Sequence, residues 1–228
     1  MISVIIPTLN ADAVLAATLT ALVPGAVEGV IREVIVADGG STDATRDIAD
    51  ACGATIVVTE PGRGWQLREG AAHARGSWLL FLHADTVLEP GWIADVTAFQ
   101  HRSATSGENA AAVFRFALDD HGLAPRVIEA GVRFRSAVLN LPYGDQGLLI
   151  PRTLYDAIGG YAALPIMEDV DIVRRLGGRR IHVLRTAAVT SAVRYRKTGY
   201  AKLVVRNLSC LALYRLGFSS ETILRLYR

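Results

Sequence analysis

Four carboxylates at three points of the chain have the types and settings to do chemistry: Asp38, Asp85 and the adjacent pair Glu168-Asp169. Each falls at a loop after a predicted strand or at a predicted helix start. A lone carboxylate in such a place is ordinarily a cap or a solvated charge. Three that converge repel one another and need a polyvalent cation or a basic ligand between them. Hard divalent cations are commonly held by one or two carboxylates plus substrate phosphate oxygens. Arg63, Arg68 and the arginines near the C-terminus offer the matching anion clamp, because the guanidinium fork suits phosphate. The set points to a phosphorylated, nucleotide-linked substrate.

These groups need elements to aim them. The central one is Trp78-Leu79-Leu80-Phe81-Leu82, five apolar residues that read as a strand buried on both faces of a parallel sheet. It runs straight into His83-Ala84-Asp85-Thr86, at the carboxyl edge where open α/β sheets bind ligands. Strand alternation would point His83 and Asp85 the same way. The plainer reading of Asp85 is a cap on the following helix.

Before it, Ser3–Pro7, Glu33–Ala37 and Ala54–Thr59 read as strands, with helices over about 13–22, 43–51 and from about residue 64. The first helix is expected to close at Pro24-Gly25. The βαβαβαβ rhythm predicts an α/β fold with a mostly parallel central sheet flanked by helices. After Pro90 a helix to about His101, a polar loop over 103–109, a strand over 110–119 and a helix over 124–140 are expected. A turn over 142–147 leads to a short strand ending at Pro151. Glu168 opens a helix that ends near Gly177, and two strands over 181–184 and 187–193 precede the C-terminal segment.

The 228 residues can bury one substantial core. No apolar run approaches the roughly 20 residues that a bilayer crossing needs. The start, Met1–Pro7, lacks a basic leader and reads as a strand, and Cys52 and Cys210 form no metal-type pair, so a cytoplasmic protein is expected. The net charge of +2 is unevenly spread: thirteen Lys/Arg against Glu221 alone give +12 over residues 174–228, leaving −10 for residues 1–173. A basic, helically spaced apolar stripe near the C-terminus either packs on the domain or lies at an anionic membrane surface, the inner face of a membrane. No nucleic-acid motif is present, and no nucleic-acid partner is expected.

The segments Val4-Ile5-Ile6-Pro7-Thr8-Leu9-Asn10, Val34–Asp43 with its Asp38-Gly39-Gly40-Ser41-Thr42-Asp43, Leu82-His83-Ala84-Asp85-Thr86 and Glu168-Asp169, in this order, resemble family 2 glycosyltransferases of the GT-A fold. Gly62-Arg63-Gly64-Trp65-Gln66 and Tyr143-Gly144-Asp145-Gln146-Gly147 resemble most a short bacterial subgroup associated with arsenosugar biosynthesis. The resemblance implies an inverting transfer from a nucleotide-diphospho-sugar, a UDP-sugar by preference, to an acceptor hydroxyl not named by the sequence. It implies that Pro7, Thr8, Asn10, Arg63 and Gln66 line the nucleotide pocket and that Asp38 meets the base. Asp85 would bind Mn²⁺ or Mg²⁺, and Asp169, with Glu168 as competitor, would be the general base. On this reading residues 1–197 form the transferase domain and 198–228 a basic amphipathic helical tail.

His83 stands where many relatives carry an acid. It is a candidate second metal ligand, a phosphate partner or a core histidine. Asp145 and Gln146 either hold the donor sugar or acceptor or merely build a turn, and Arg194 clamps a diphosphate or faces lipid. The strand-one loop lacks G-x-G-x-x-G, which counts against a dinucleotide oxidoreductase, and no G-x-S-x-G is present for a serine hydrolase. The alternative to an enzyme is a nucleotide-sugar-binding or membrane-docking module that keeps the fold without turnover.

Overall fold

The computed structural model describes residues 1–138 and 141–227. Leu139 and Asn140, at the end of the helix expected over 124–140, and Arg228 of the basic tail lie outside the described residues. Eight strands form one sheet in the order β3-β2-β1-β4-β7-β6-β8-β5. β1 (Ile2–Thr8), β2 (Ile31–Asp38), β3 (Thr55–Val58) and β4 (Trp78–Phe81) pair in parallel, joined by α1 (Asp12–Val27), α2 (Thr45–Ala51) and α3 (Arg63–His73). This is the expected rhythm.

The apolar runs explain it. Ile2, Val4 and Ile6 of β1 pack on one face with Leu80 of β4, while Ile5 packs on the other with Leu79 and Phe81. Both faces of the sheet centre are covered, so these strands read as continuous apolar segments rather than alternating ones.

Beyond β4 the sheet becomes mixed. β5 (Thr86–Leu88) pairs antiparallel with β8 (Ile181–Ser191), and β7 (Leu148–Pro151) lies antiparallel between β4 and β6 (Ala111–Asp119). β6 and β8 are parallel, with a register shift between Val113 and Arg115. That shift sits opposite the place where two strands were expected. β8 is instead one irregular strand. β5 was not expected at all: three residues after a turn carry no usable period.

Helices α4 (Trp92–Ser106), α5 (Leu123–Val138), α6 (Arg152–Ala157), α7 (Glu168–Leu176), α8 (Val193–Thr198), α9 (Tyr200–Arg215) and α10 (Ser220–Tyr227) complete the chain. α4 runs through residues expected as loop and stops at Gly107, in the left-handed conformation. α1 likewise continues through Pro24. The Trp92 ring closes over its last turn, donating from Nε1 to the Ala21 carbonyl at 3.2 Å. A Cβ on Gly25 would lie 2.6 Å from that ring, so glycine is required there by close approach rather than by a chain reversal.

The C-terminal helices pack back on the body. Cys210 of α9 and Ile223 of α10 are fully buried with Ile166, and Met167 packs against the same cluster. No helix among the described residues is long and apolar enough to cross a membrane.

Gly64, in the first turn of α3, meets the 160–167 segment at backbone contact. Its N–H donates to the Leu164 carbonyl at 3.0 Å. A Cβ there would sit 2.3 to 2.6 Å from backbone atoms of Ala162 and Leu164. Gly131, in the middle of α5, has nothing within 4 Å of the same position. Gly64→Ala is therefore expected to destabilise by about 1–3 kcal/mol or more, the usual cost of overpacking against atoms that cannot yield. Gly131→Ala is expected to stabilise by up to about 1 kcal/mol through helix propensity. Urea unfolding midpoints of the two variants check both signs.

Candidate active site

The carboxyl ends of β1 and β2 build one wall. Asp38 ends β2 with no exposed surface. Its Oδ1 accepts from the backbone N–H groups of Gly40 (3.1 Å) and Ser41 (2.8 Å), and its Oδ2 from the hydroxyls of Thr8 (3.0 Å) and Ser41. Burial alone would raise its pKa, but these donors outweigh it and hold the carboxyl below the ordinary range. The carboxylate is thus committed to shaping the loop. Asp38 has no exposed surface here, and each of its oxygens accepts from two donors of the surrounding loop.

Thr8 is 2% exposed and donates to Asp38, so its side chain also faces inward. Asn10 is exposed and left-handed (φ 52°), a conformation Asn tolerates better than most residues. Its Oδ1 accepts from the Thr42 N–H at 3.0 Å and its own N–H donates to Ser41 Oγ at 2.9 Å. Gln66, reaching in from α3, donates from Nε2 to the carbonyls of Thr8 (2.6 Å) and Ala37 (2.8 Å). Gln66 therefore ties the two strand ends together from behind, while half-buried Pro7 and exposed Asn10 are the residues presented at the wall's surface.

A second group of side chains gathers across β4 and α7. Glu168 and Asp169 open α7, where the free N–H groups of the first turn favour negative charge. Glu168 is 1% exposed and lies 3.4 Å from the Arg63 guanidinium. Burial raises its pKa to about 7 against the pull of Arg63, with Asp169 adding to the rise. Arg63 is itself held more firmly protonated: burial works against its charge, but Glu168, Asp169, Tyr227 and Asp85 outweigh it.

Asp169 is half-exposed. Its Oδ2 accepts from the Gly144 N–H at 3.0 Å and its Oδ1 from the Val170 N–H at 2.8 Å. His83 flanks the same spot, since a Cβ on Gly144 would lie 3.0 Å from His83 Nε2 and 3.4 Å from Asp169 Oδ2. Burial and the Arg63 charge push His83 down to about 3, so the imidazole is neutral at physiological pH.

Asp85, in the turn between β4 and β5, is half-buried, and burial raises its pKa against the attraction of Arg63. Its side-chain partner is the Thr86 hydroxyl at a long 3.5 Å. Unlike Asp38, it keeps lone pairs to spare. Among the described residues no three His, Cys, Asp or Glu side chains come close enough to hold a metal unaided. Asp85 fits a hard cation that takes its remaining ligands from substrate phosphate and water.

Asp145 and Gln146 part company in the 142–147 turn. Gln146 is 2% exposed, accepting from Ser136 Oγ (2.9 Å) and donating to the Phe114 carbonyl (2.9 Å). It therefore anchors the turn to β6 and α5. Asp145 lies 3.9 Å from the Arg135 guanidinium, and burial raises its pKa. Arg135 also stacks 4.1 Å over the Tyr143 ring.

Arg194 stands 4.9 Å over the ring of Tyr227, which Arg206 approaches from 4.5 Å. Arg68, a candidate clamp, is exposed near Trp65, and Arg196 pairs with Asp120 at 3.3 Å. The sequence reading missed Arg135 and Tyr227. Their signal is a set of cation–π pairs between distant positions, which no local pattern displays.

Residues 3–163 match the family model described as glycosyl transferase family 2. The PGL/p-HBAD biosynthesis glycosyltransferase of Mycobacterium bovis is 40% identical over 107 residues, covering 43% of this chain and 41% of that protein. Glucosyl-3-phosphoglycerate synthase of Mycobacterium tuberculosis is 35% identical over 95 residues, covering 38% of this chain and 29% of that protein. The matched stretches thus span less than half the length of these curated relatives.

Among solved structures, the same synthase in complex with Mn²⁺, UDP-glucose and phosphoglyceric acid superposes with TM-score 0.57 at 25% identity. That match covers 82% of this chain and 71% of the other. S. aureus TarS 1–349 in complex with UDP-GlcNAc gives TM-score 0.64 at 18% identity over 83% and 58%, a likeness of fold. With a family model matched over more than half its length, the chain belongs to glycosyl transferase family 2 and has the GT-A fold of those structures.

Proposed function

We propose that this protein is an inverting glycosyltransferase that moves a sugar from a UDP-sugar to an acceptor hydroxyl. The observation that carries the reading is the division of labour at the start of α7. Glu168 is buried against Arg63 and keeps its proton to about pH 7, whereas Asp169 is half-exposed, hydrogen-bonded to Gly144 and adjoined by a neutral imidazole. Asp169 is thus the carboxylate placed to meet an acceptor. It takes the hydroxyl proton as the acceptor oxygen bonds to the anomeric carbon, and the bond from that carbon to the diphosphate breaks on the opposite side, inverting the centre. Arg63 and Glu168 hold the start of α7 in position, and Pro7 and Asn10 edge the nucleotide wall. Asp85 holds a divalent cation, Mn²⁺ or Mg²⁺, which when bound with the donor neutralises charge on the departing diphosphate.

The relatives bound to UDP-sugars and Mn²⁺ support the donor class and the cation. Kinship with the arsenosugar-associated subgroup remains a reading of two motifs, residues 62–66 and 143–147. We also propose a peripheral role at the inner face of a membrane. Val205, Leu208 and Leu216 are exposed along or just beyond α9, and Leu123, Val127, Phe134 and Val138 along α5, beside exposed Lys202, Arg126 and Arg133. Apolar stripes flanked by cations suit an anionic surface.

Asp169→Asn is expected to abolish transfer while leaving UDP affinity within about twofold, because it changes a proton acceptor and not the donor wall. Asp85→Ala is expected to remove the Mn²⁺ dependence of UDP binding. Calorimetric titration of UDP with Mn²⁺ or EDTA, alongside an assay of UDP release, checks both. Full turnover in Asp169→Asn would exclude it as the base.

Glu168 carries a stability signature of its own. Its pKa is raised on folding from an ordinary 4.5 to about 7, so the folded state binds the extra proton between those values. Its contribution is fully present below pH 4.5 and is lost as pH rises through 7. Glu168→Gln, which cannot ionise, is therefore expected to gain on the order of 2 kcal/mol relative to wild type between pH 5 and pH 7.5. Urea unfolding of both proteins at the two pH values measures it.

For the membrane role, co-sedimentation with phosphatidylglycerol liposomes is expected at low salt and not at 0.5 M, where the Debye length falls to about 4 Å. Equal recovery in the supernatant at both salts removes it.

A further inference from the structure

A cavity of about 580 Å³ adjoins the start of α7, lined by the residues that follow Asp169 and precede Gly144. Val170 and Val173 of α7, Leu141 and Tyr143 of the turn before β7, and Tyr214 of α9 line it, together with Arg174, Arg179 and Arg215. Val170 follows Asp169 directly, and Tyr143 precedes the Gly144 whose N–H holds the Asp169 carboxylate. Three cations line this space and no carboxylate does. Among the described residues none of the three arginines makes an ion pair; all three are exposed, and Arg215 interacts with the Tyr143 hydroxyl.

The nearest acids are occupied elsewhere. Asp171, which adjoins Tyr214, is paired with Arg175 at 2.5 Å, and Asp169 is bound by Gly144 and Val170. The Tyr143 hydroxyl is buried at the edge of this space, with Arg215 the side chain nearest to serve it. Three arginines around one space with no carboxylate among them suit a phosphate or carboxylate ligand, which fills their donors.

We propose that this cavity is the acceptor subsite and that the acceptor is anionic, its phosphomonoester or carboxylate group held by Arg174, Arg179 and Arg215. The Tyr143 hydroxyl supplies a further donor, and Val170 and Val173 carry the apolar part of the molecule. The inference rests on the reading of Asp169 as the base, because that reading makes the neighbouring space the acceptor's. It assigns the C-terminal helices a part in acceptor choice, since Arg215 and Tyr214 come from α9.

The test is calorimetric titration of the full chain with glycerol 3-phosphate, with soluble dihexanoyl phosphatidic acid and with glycerol. These are run on wild type and on the triple variant Arg174→Gln, Arg179→Gln, Arg215→Gln. UDP with Mn²⁺ is titrated into both proteins as the reference for the donor wall. The phosphomonoesters are expected to bind wild type, glycerol not at all, and the variant about tenfold or more weakly, with UDP affinity unchanged. Binding of glycerol 3-phosphate as tight as that of the lipid identifies a soluble acceptor, and binding confined to the lipid identifies a lipid-borne phosphate. Equal phosphomonoester affinity in wild type and variant overturns the proposal, as does displacement of the phosphomonoester by UDP, which would place it in the diphosphate site. Failure of UDP to bind wild type would count against the donor reading alone and leave the phosphate result standing.

Discussion

The ion pair between Arg63 and Glu168 is the constraint around which the polar centre is arranged. It joins the first residue of α3 to the first residue of α7, elements from opposite ends of the chain, at the carboxyl edge of the sheet. The contact is single and long at 3.4 Å, so its attraction offsets only part of the cost of burying Glu168. Burial wins, and the carboxyl titrates near neutrality. The same guanidinium acts on every other group nearby. It lowers the pKa of His83, so the ring stays neutral beside Asp169, and it draws down the pKa values that burial raises at Asp85 and Asp145. Arg63, with Arg135 beside Asp145 and Arg194 acting on Asp85, only partly offsets the four acids of this pocket. A cation arriving with a phosphorylated donor supplies what is missing.

The nucleotide wall obeys a different rule, that of satisfying buried backbone groups. Two parallel strands end side by side, and their last carbonyls and the first N–H groups of their loops need partners. Gln66 answers the carbonyls of Thr8 and Ala37, and Asp38 answers the N–H groups of Gly40 and Ser41. The close approach of Gln66 to the second loop leaves a Cβ on Gly39 only 3.1 Å from its amide. Polar residues at this edge therefore belong first to the loop's architecture, and a ligand meets the surface they shape.

This is why the sequence was more legible for fold than for site. β1, β2 and β4 stood out because strands inside a covered sheet are largely apolar, and the edge strand β3 by its β-branched run; the glycines and carboxylates after β2 and β4 mark the ligand edge. β5 is short and antiparallel, and α1 passes through a proline because Trp92, far away in sequence, closes over its last turn. At the site, residue types alone placed Asp85, Arg63 and the Glu168-Asp169 pair near one another. They did not tell which carboxylates face inward. Asp38 and Asp85 look alike as letters after a strand, but one has four donors and no exposed surface and the other one distant hydroxyl. Gln146 shows the same ambiguity, since an amide in a turn serves a ligand or the protein with equal chemistry.

The C-terminal helices are tied to this centre through Met167. It holds a left-handed conformation (φ 67°), which costs a residue with a long side chain on the order of 1 kcal/mol or more and persists only where surroundings enforce it. The surroundings are Ile166 with Cys210 and Ile223, so α9 and α10 press on the residue that aims the first turn of α7. Farther along α10, the Tyr227 ring receives Arg194 at 4.9 Å and Arg206 at 4.5 Å. The sheet edge that shapes the nucleotide wall comes from residues before β5, whereas the 142–147 turn, α7 and α9 supply the remaining walls around Asp169. A chain built this way can keep its donor chemistry in the strand-and-loop half while its C-terminal helices change what stands opposite Asp169. Since those helices also set the conformation of Met167, such change is confined to substitutions that leave the Cys210–Ile223 packing intact.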